Sequence, residues 1–479
     1  MLKPHTLIIG AGPAGLTAAF ELARQGITGV IVEADEQVGG IARTVEREGY
    51  RFDIGGHRFF TKVGEIDKLW DEMLGEPMLL RPRMSRIYYG RKFYDYPLRA
   101  SNALKNMGII NASLCMLSYL KARVLPIPNP VNFEQWVTNK FGARLYRMFF
   151  KSYTEKVWGI PCTEIGADWA AQRIKGLSLY EAVRNAIFGQ RRGKTVKTLI
   201  DEFKYPRLGP GQLWENCAAT LQKKGWQILL RTKVVGTERS GDRITRVTVQ
   251  STDGHTQTFE PGHVLSSMPL RHLVEQMQPA PPPEVVQAAR ALTYRDFLTV
   301  ALVLDAPELW PDNWIYIHSP EVRVGRIQNF KNWSPHLVPD ASKTCLGLEY
   351  FVNEGDDLWR MPDADLVALG YAELTRIGLG DAPLVKGYVV RMPKAYPVYH
   401  TGYTEQLAII REWLQQNLAN LNCIGRNGQH RYNNQDHSMA TALIAARRIA
   451  VGDARDPWAV NEDAEYHEIA KTERQAPVT

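Results

Sequence analysis

An α/β fold is predicted for this chain, with a discontinuous dinucleotide-binding domain, an inserted helical domain and a mostly antiparallel β-sheet domain. Three observations predict it. The first forty residues read as strand, glycine-rich turn, helix and strand. A long amphipathic helical pattern then interrupts the strands, and strand-and-turn signals return after residue 195 and again after residue 415. The implied boundaries are 1–65, 195–290 and 415–455 for the dinucleotide domain, 66–194 for the helical domain, 291–414 for a sheet domain that binds substrate, and 456–479 for a tail.

The opening unit is justified residue by residue. Thr6-Leu7-Ile8-Ile9 is a short apolar strand that runs into Gly10-Ala11-Gly12-Pro13-Ala14-Gly15. A helix follows with Leu16, Ala19, Phe20 and Ala23 on one face, and Gly26 supplies a left-handed stop. A second strand, Val30-Ile31-Val32, ends on Glu33, 18 positions after the last glycine. This is the Rossmann-type fingerprint. Gly10 permits the tight turn, Gly12 lets backbone approach a pyrophosphate, and Gly15 allows close helix–strand packing. The helix N-terminus, with Pro13 and Ala14, offers N–H groups to phosphate, and Glu33 can accept from a ribose diol.

Gln37-Val38-Gly39-Gly40-Ile41-Ala42-Arg43-Thr44 resembles the second glycine pair of the FAD-binding amine-oxidase class, in which a Gly-Gly-x-x-Arg stretch wraps the pyrophosphate. The resemblance implies FAD as cofactor, with Gly39, Gly40 and Arg43 among its contacts.

The chain has 479 residues, enough for two or three domains. Its net charge of +7 favours anionic partners, but the basic residues are dispersed and not interleaved with aromatics, which argues against nucleic acid. Five cysteines (Cys115, Cys162, Cys217, Cys345, Cys423) lie far apart with no CxxC pair, a pattern expected of a reducing cytoplasm and of neither a disulfide framework nor a zinc site. The first residues read as strand, with no signal-peptide pattern. The longest apolar run, around 112–120, is too short to span a bilayer. The tail after Asp463 is charged and expected to be frayed.

Next in the chain, Tyr50 to Phe60 places Gly55, Gly56 and His57 after a short strand. Either backbone passes close to a flat group with His57 beside it, or this is a tight turn with a surface histidine. From about Ile66 to Phe188 the pattern is helical, with Trp70, Trp136, Phe149, Phe150, Tyr153 and Trp158, and most of these aromatics are expected in the core. Gln190-Arg191-Arg192-Gly193-Lys194 breaks the run. It is a solvated basic loop, or one that touches an anionic substrate or a membrane periphery. Strands return from Trp226 to Ser267 and from Phe297 to Val390. Asn422–Arg426 gives a further strand and turn, and Met439–Val451 a helix with Asp436 and Ser438 as candidate caps.

Taken together, patches in order along nearly the whole chain resemble the UDP-galactopyranose mutases, most closely their eukaryotic branch. They are Phe52–His57, Tyr96-Pro97, Lys156–Pro161, Trp169–Arg173, Phe203–Arg207, Ser266-Ser267-Met268, Gly325-Arg326 with Asn332–Pro335, Ala395-Tyr396-Pro397, and Gly425–Gly428 with Arg431-Tyr432 and Asn434–Ser438. The resemblance implies that reduced FAD acts through N5 as a nucleophile on the anomeric carbon of a nucleoside-diphosphate sugar. Pyranose and furanose forms then interconvert without net redox change, and an external reductant prepares the flavin. It further implies flavin contacts at Gly55, Gly56, His57, Val234, Ser267, Gly425, Arg426, Asn434, Gln435, Asp436 and Ser438. Catalytic groups would be His57, Arg173, Arg326, Tyr396 and Tyr432, the last four also touching substrate together with Tyr96, Arg99, Phe149, Thr154, Trp158 and Tyr316. Guanidinium forks at Arg173 and Arg326 suit a diphosphate; read without the resemblance, Arg173 is more readily an ordinary helix-surface arginine.

The chain departs from that pattern in places. Arg99 stands where the eukaryotic enzymes carry a uracil-reading glutamine, and Thr154 where they carry asparagine. Arg207–Gly211 is altered, and the connection from Tyr432 to Gln435 is two residues shorter. Two other functions stay open on the same architecture. One is an oxidoreductase of the amine oxidase, protoporphyrinogen oxidase or desaturase type, acting on an amine or apolar substrate. The other is a catalytically silent flavin-stabilised binding protein.

Overall fold

The computed structural model describes residues 3–96, 98, 100–167 and 202–461. A five-stranded, all-parallel sheet carries the dinucleotide unit, in the order Leu421–Cys423, His263–Ser266, Thr6–Ile9, Gly29–Val32, Gln227–Leu229. Its central strand Thr6–Ile9 is buried along its whole length, as strands covered on both faces are. The helices Pro13–Arg24 and Gln435–Val451 share one core on the sheet, in which Leu16, Ala19 and Phe20 join Met439, Ala442, Leu443 and Ala446. Trp70 from the helix Gly64–Leu74 and Trp214 from the helix Pro210–Lys223 complete it. The first forty residues therefore complete their sheet only with strands that begin at Gln227, His263 and Leu421, far along the chain.

A second, four-stranded sheet runs Thr256–Phe259, Arg243–Ser251, Thr232–Ser240, Met277–Gln278. The largest sheet has seven strands, in the order Leu384–Pro397, Tyr294–Leu304, Thr344–Val352, Arg326–Asn329, Trp314–Ile317, Ser85–Tyr89, Lys92–Asp95. All its pairs are antiparallel except Trp314–Ile317 with Ser85–Tyr89. This corrects the expectation of a purely helical 66–194. Leu79–Pro82, Ser85–Tyr89 and Lys92–Asp95 are strands, and the last two extend the large sheet. The alternation in Ser85–Tyr89 is short, and only its pairing partner at 314–317 reveals it.

A second correction concerns the last long helix. It starts at Gln435, and its start is closed by Asn434 and His437, with His437 Nδ1 accepting from the Asn434 N–H at 3.3 Å. Asp436 lies in the first turn and Ser438 in the helix, so neither is the cap. Among the described residues no helix is long and apolar enough to cross a membrane.

Gly15 is the tightest point of the opening unit. A Cβ there would lie 1.9 Å from the Gly10 carbonyl oxygen and 3.2 Å from Ile8 Cγ2. Gly15→Ala should lower stability by about 1–3 kcal/mol, the usual cost of overpacking, and reduce flavin retention with it. Gly64→Ala, where nothing lies within 4 Å, should stay within about 0.5 kcal/mol. Urea unfolding of both variants checks this; equal effects would contradict the packing argument.

Candidate active site

Backbone contacts between remote glycines shape the dinucleotide end of the site. Gly10 has φ +100°, and a Cβ there would meet Ser267 Oγ at 2.2 Å. Gly39 N–H donates to the Ala11 carbonyl at 2.8 Å, and a Cβ on Gly40 would come within 3.3 Å of Gly12 Cα. From the far C-terminal part, a Cβ on Gly425 would meet Ala14 Cβ at 2.8 Å, and one on Gly428 the Ser266 carbonyl oxygen at 2.4 Å. Gly12, at the start of the helix Pro13–Arg24, brings no side-chain cap, so the first N–H groups of that helix have no side-chain acceptor. Glu33 accepts from the N–H groups of Ala11 (2.7 Å) and Asp35 (2.9 Å), and burial pushes its carboxyl up from the ordinary value. Arg43 pairs with Asp35 at 2.5 Å. Side-chain-free backbone, an open helix start and a carboxylate closing the second strand fit a dinucleotide such as FAD.

The Gly55–His57 loop joins this end to the large sheet. Asp53, just before it, is buried; it accepts from Tyr205 and, at 2.9 Å, from Thr44 Oγ1, and burial raises its carboxyl to about 7. This clasp explains why the Phe52–His57 and Phe203–Arg207 patches occur together. A Cβ on Gly55 would stand 3.7 Å from both Arg326 Nη2 and His57 Nε2, and 3.9 Å from the Tyr396 hydroxyl. His57 Nε2 lies 2.9 Å from the Ile54 carbonyl. Burial, together with Arg426 and Arg326, pushes the imidazole down to about 4, so it is neutral at pH 7.

Four sheet strands bring the remaining groups. Tyr316, Arg326 and Glu349 are opposite one another across three adjacent strands. Arg326 Nε donates to Glu349, whose other oxygen accepts from Gln328. Glu349 is 0% exposed and the Arg326 side chain 18%. Burial pushes the carboxyl up, while Arg326 and Gln328 hold it back. Tyr396 and Tyr432 stack at 5.6 Å and 11°, and the Arg426 guanidinium lies 5.3 and 4.8 Å from their ring centres. Arg426 is itself held by the carbonyls of Asn433 and Ala395.

The helix Ser152–Trp158 closes the other side, directly after a π-helical turn at Tyr146–Lys151. Such turns often accompany functional sites. Trp158 lies 6.4 Å from the Tyr432 ring, and Tyr153 meets Tyr316 edge-on at 5.6 Å. Tyr96 meets Tyr316 at 5.0 Å on the outer side.

Of the residues read from the sequence, His57, Arg326, Tyr396, Tyr432, Arg426, Tyr316, Trp158 and Tyr96 therefore join one continuous cluster. Thr154 is buried in the same helix. Phe149 is set back from the cluster: it is buried against Tyr94 at 5.0 Å, in a core that reaches Tyr316 from behind. Val234 is buried beneath the four-stranded sheet, paired with Val249. Ser267 Oγ donates to the Ile9 carbonyl at 2.9 Å, and Gln435 accepts from Trp214 Nε1 at 3.1 Å. Arg431, from the same sequence patch as Arg426, donates to the carbonyls of Trp458 and Val460. Arg99, Arg173, Pro97, Trp169 and the Gln190–Lys194 loop lie outside the described residues. Glu349 and Gln328 went unread in the sequence, and Tyr153 was read only as one of the helical-region aromatics expected in the core. A lone carboxylate inside the apolar strand Thr344–Val352 was the available signal for Glu349.

The glycine cradle and the cluster beyond it define a flavoenzyme: FAD is its cofactor, and it is a FAD-dependent enzyme. Residues 8–73 match the NAD(P)-binding Rossmann-like domain. Residues 128–451 match the flavin containing amine oxidoreductases, and the chain belongs to that family. A probable UDP-galactopyranose mutase of Klebsiella pneumoniae is 28% identical over 179 residues, covering 35% of this chain and 44% of that protein. The chain thus matches less than half of that relative's length. A reduced UDP-galactopyranose mutase shares the fold at TM-score 0.80, with 22% identity and 94% of each chain covered. A putrescine oxidase bound to putrescine shares it at 0.60, with 17% identity and coverage of 94% and 98%.

Two outcomes are expected here. Glu33→Ala should weaken FAD retention by roughly 1.5–3 kcal/mol, the worth of a charge-assisted hydrogen bond, measured by flavin release on dilution; unchanged retention would remove Glu33 from the cofactor site. Because His57 titrates lower in the folded protein (about 4) than in the unfolded chain (about 6.5), the unfolded chain binds more protons between those values. Its contribution to stability is complete above the upper value and lost as pH falls toward the lower one. The stability difference between wild type and His57→Gln should therefore change across that window by up to about 1.4 kcal/mol per pH unit, and parallel urea curves would refute it.

Proposed function

We propose that this enzyme is a sugar-nucleotide mutase, which interconverts the pyranose and furanose forms of a nucleoside-diphosphate sugar. One observation carries the reading: the charge of the cluster. Among the described residues of the cluster, Arg326 is paired with the carboxylate of Glu349, and Arg426 lies over the Tyr396 and Tyr432 rings on backbone carbonyls. His57 is neutral, so two guanidiniums stand with one carboxylate among tyrosine hydroxyls. A ligand that balances that charge is anionic, and a diphosphate does so. When bound, reduced flavin supplies the electron pair that bonds to the anomeric carbon as the diphosphate leaves, and an external reductant prepares it.

The chain's own groups do the rest. Glu349 takes the Nε edge of Arg326, leaving its outer nitrogens to hold the diphosphate beside Gly55. The Tyr396 and Tyr432 hydroxyls donate to the same oxygens, and Arg173 is assigned to the diphosphate as well. Tyr96 and Tyr316 offer ring faces to the nucleoside, Trp158 and Thr154 border the sugar, and Phe149 supports Tyr316 from behind. Arg99, with donors only, favours a nucleotide other than uridine.

Oxidation of an amine is the second reading, supported by the family's name and the putrescine oxidase neighbour. Two guanidiniums repel an ammonium group, and the carboxylate beside them, Glu349, is already paired with Arg326.

Kinetics on a panel of UDP-, GDP- and dTDP-hexoses with dithionite-reduced enzyme test the proposal. Arg326→Ala should lower kcat by about 10²–10³-fold, with Arg326→Lys restoring part, because a point charge lacks the fork. Turnover should need reduced flavin without consuming reductant. Steady peroxide release with an amine, or full turnover in Arg326→Ala, would overturn it.

A further inference from the structure

The apolar run at 112–120, too short to span a bilayer, lies on a helix whose outer face is exposed among the described residues. Ala100–Val124 is interrupted at Gly108 (φ 76°, ψ 160°), and from Ile109 onward it is regular. On this stretch Ile109 is 86% exposed, Ile110 78%, Leu117 62% and Val124 76%, with Leu114 and Leu120 also exposed. At 100° per residue these six fall within an arc of roughly 140°. Cys115 and Ala122, on the opposite side, are buried. The connection that follows continues the surface with Leu125 at 70% and Val131 at 65%, stiffened by Pro126, Pro128 and Pro130. Isolated exposed apolar residues are ordinary, but a contiguous face of this kind marks a docking surface.

Charge identifies what docks. Between Asp95 and Glu134 the chain has no carboxylate side chain and four basic residues, Arg99, Lys105, Lys121 and Arg123. Lys121 lies within the apolar arc itself, and Lys105 and Arg123 are exposed nearby. A two-fold pairing with a second copy would set this face against itself, Lys121 toward Lys121, with no carboxylate to offset the repulsion. An anionic bilayer meets both demands, because acyl chains accept the apolar arc and headgroups the cations. We infer that the Ile109–Val131 face is a peripheral docking surface for an anionic lipid bilayer. The face lies outside the residues assigned to substrate and does not depend on the proposed reaction.

The test is co-sedimentation of the flavin-loaded enzyme with vesicles of phosphatidylcholine alone and of phosphatidylcholine mixed with phosphatidylglycerol. The enzyme should bind the mixed vesicles more tightly than the neutral ones, and less so as salt rises. Lys121→Glu should lower the partition at least about five-fold, the effect of one charge near the surface, and Ile110→Ser should lower it on both vesicle types. Both variants should keep full flavin content and turnover. Absence of binding to mixed vesicles, or wild-type binding by both variants, would overturn the inference. So would a soluble dimer that Ile110→Ser dissociates in a protein with no vesicle affinity.

Discussion

Backbone packed against backbone is the constraint on which the rest of this molecule depends. Gly15 against the Gly10 carbonyl and Gly428 against the Ser266 carbonyl leave no room for a Cβ, Gly10 and Gly425 leave none beside the Ser267 and Ala14 side chains, and the Gly12 and Gly40 backbones lie in close contact. These contacts draw segments from the two ends and the middle of the chain onto one turn. The same absence of Cβ atoms that permits the packing leaves N–H groups at the helix start open to phosphate. The structural and cofactor roles of these glycines are therefore inseparable, and a change at one of them disturbs both.

A second set of forces organises the substrate side, and it is electrostatic. Glu349 could not stay ionised alone in a buried strand; Arg326 and Gln328 compensate its desolvation. In return the carboxylate fixes one edge of the guanidinium and so aims the other. Lys156 acts alike on the neighbouring turn, where its ammonium donates to the carbonyls of Ile317, Ser319 and Val324. Burial lowers that ammonium to about 8. Glu373 accepts from the N–H groups of Arg323 and Val324 from the opposite side. The segment that carries Arg326 is thus held by a half-buried ammonium and a buried carboxylate of opposite sign. Arg426 is handled differently, with carbonyls satisfying its edges and the Tyr396–Tyr432 pair covering its face.

Membership of the flavin containing amine oxidoreductases places the chain on an architecture shared by proteins as different as putrescine oxidase and UDP-galactopyranose mutase. What varies on such a scaffold is the wall opposite the cofactor. Here the cluster combines a paired and a stacked arginine with neighbouring tyrosines, the composition on which the proposed reaction rests.

The sequence alone determined the elements whose signals are local. The βαβ unit from Thr6 to Glu33 was legible because a tight turn demands glycine within a few residues and apolar periodicity reports helix or strand directly. The Gly39–Gly40 pair and the Gly55–His57 loop were legible for the same reason. Only the tertiary structure decided the rest. Ser85–Tyr89 joins the large sheet because Trp314–Ile317, over two hundred residues later, pairs with it in parallel. Asn434 caps the last helix because His437 turns back to its N–H, where Asp436 and Ser438 looked equally suitable. Arg431, in the same patch as Arg426, turns to the carbonyls of Trp458 and Val460, which its sequence neighbours do not disclose. Glu349 meets Arg326 through strand register, which no local pattern records. The exposure of Ile109 to Val124 likewise depends on which face of the helix its neighbours cover, because an apolar stripe has the same sequence whether protein or lipid lies against it.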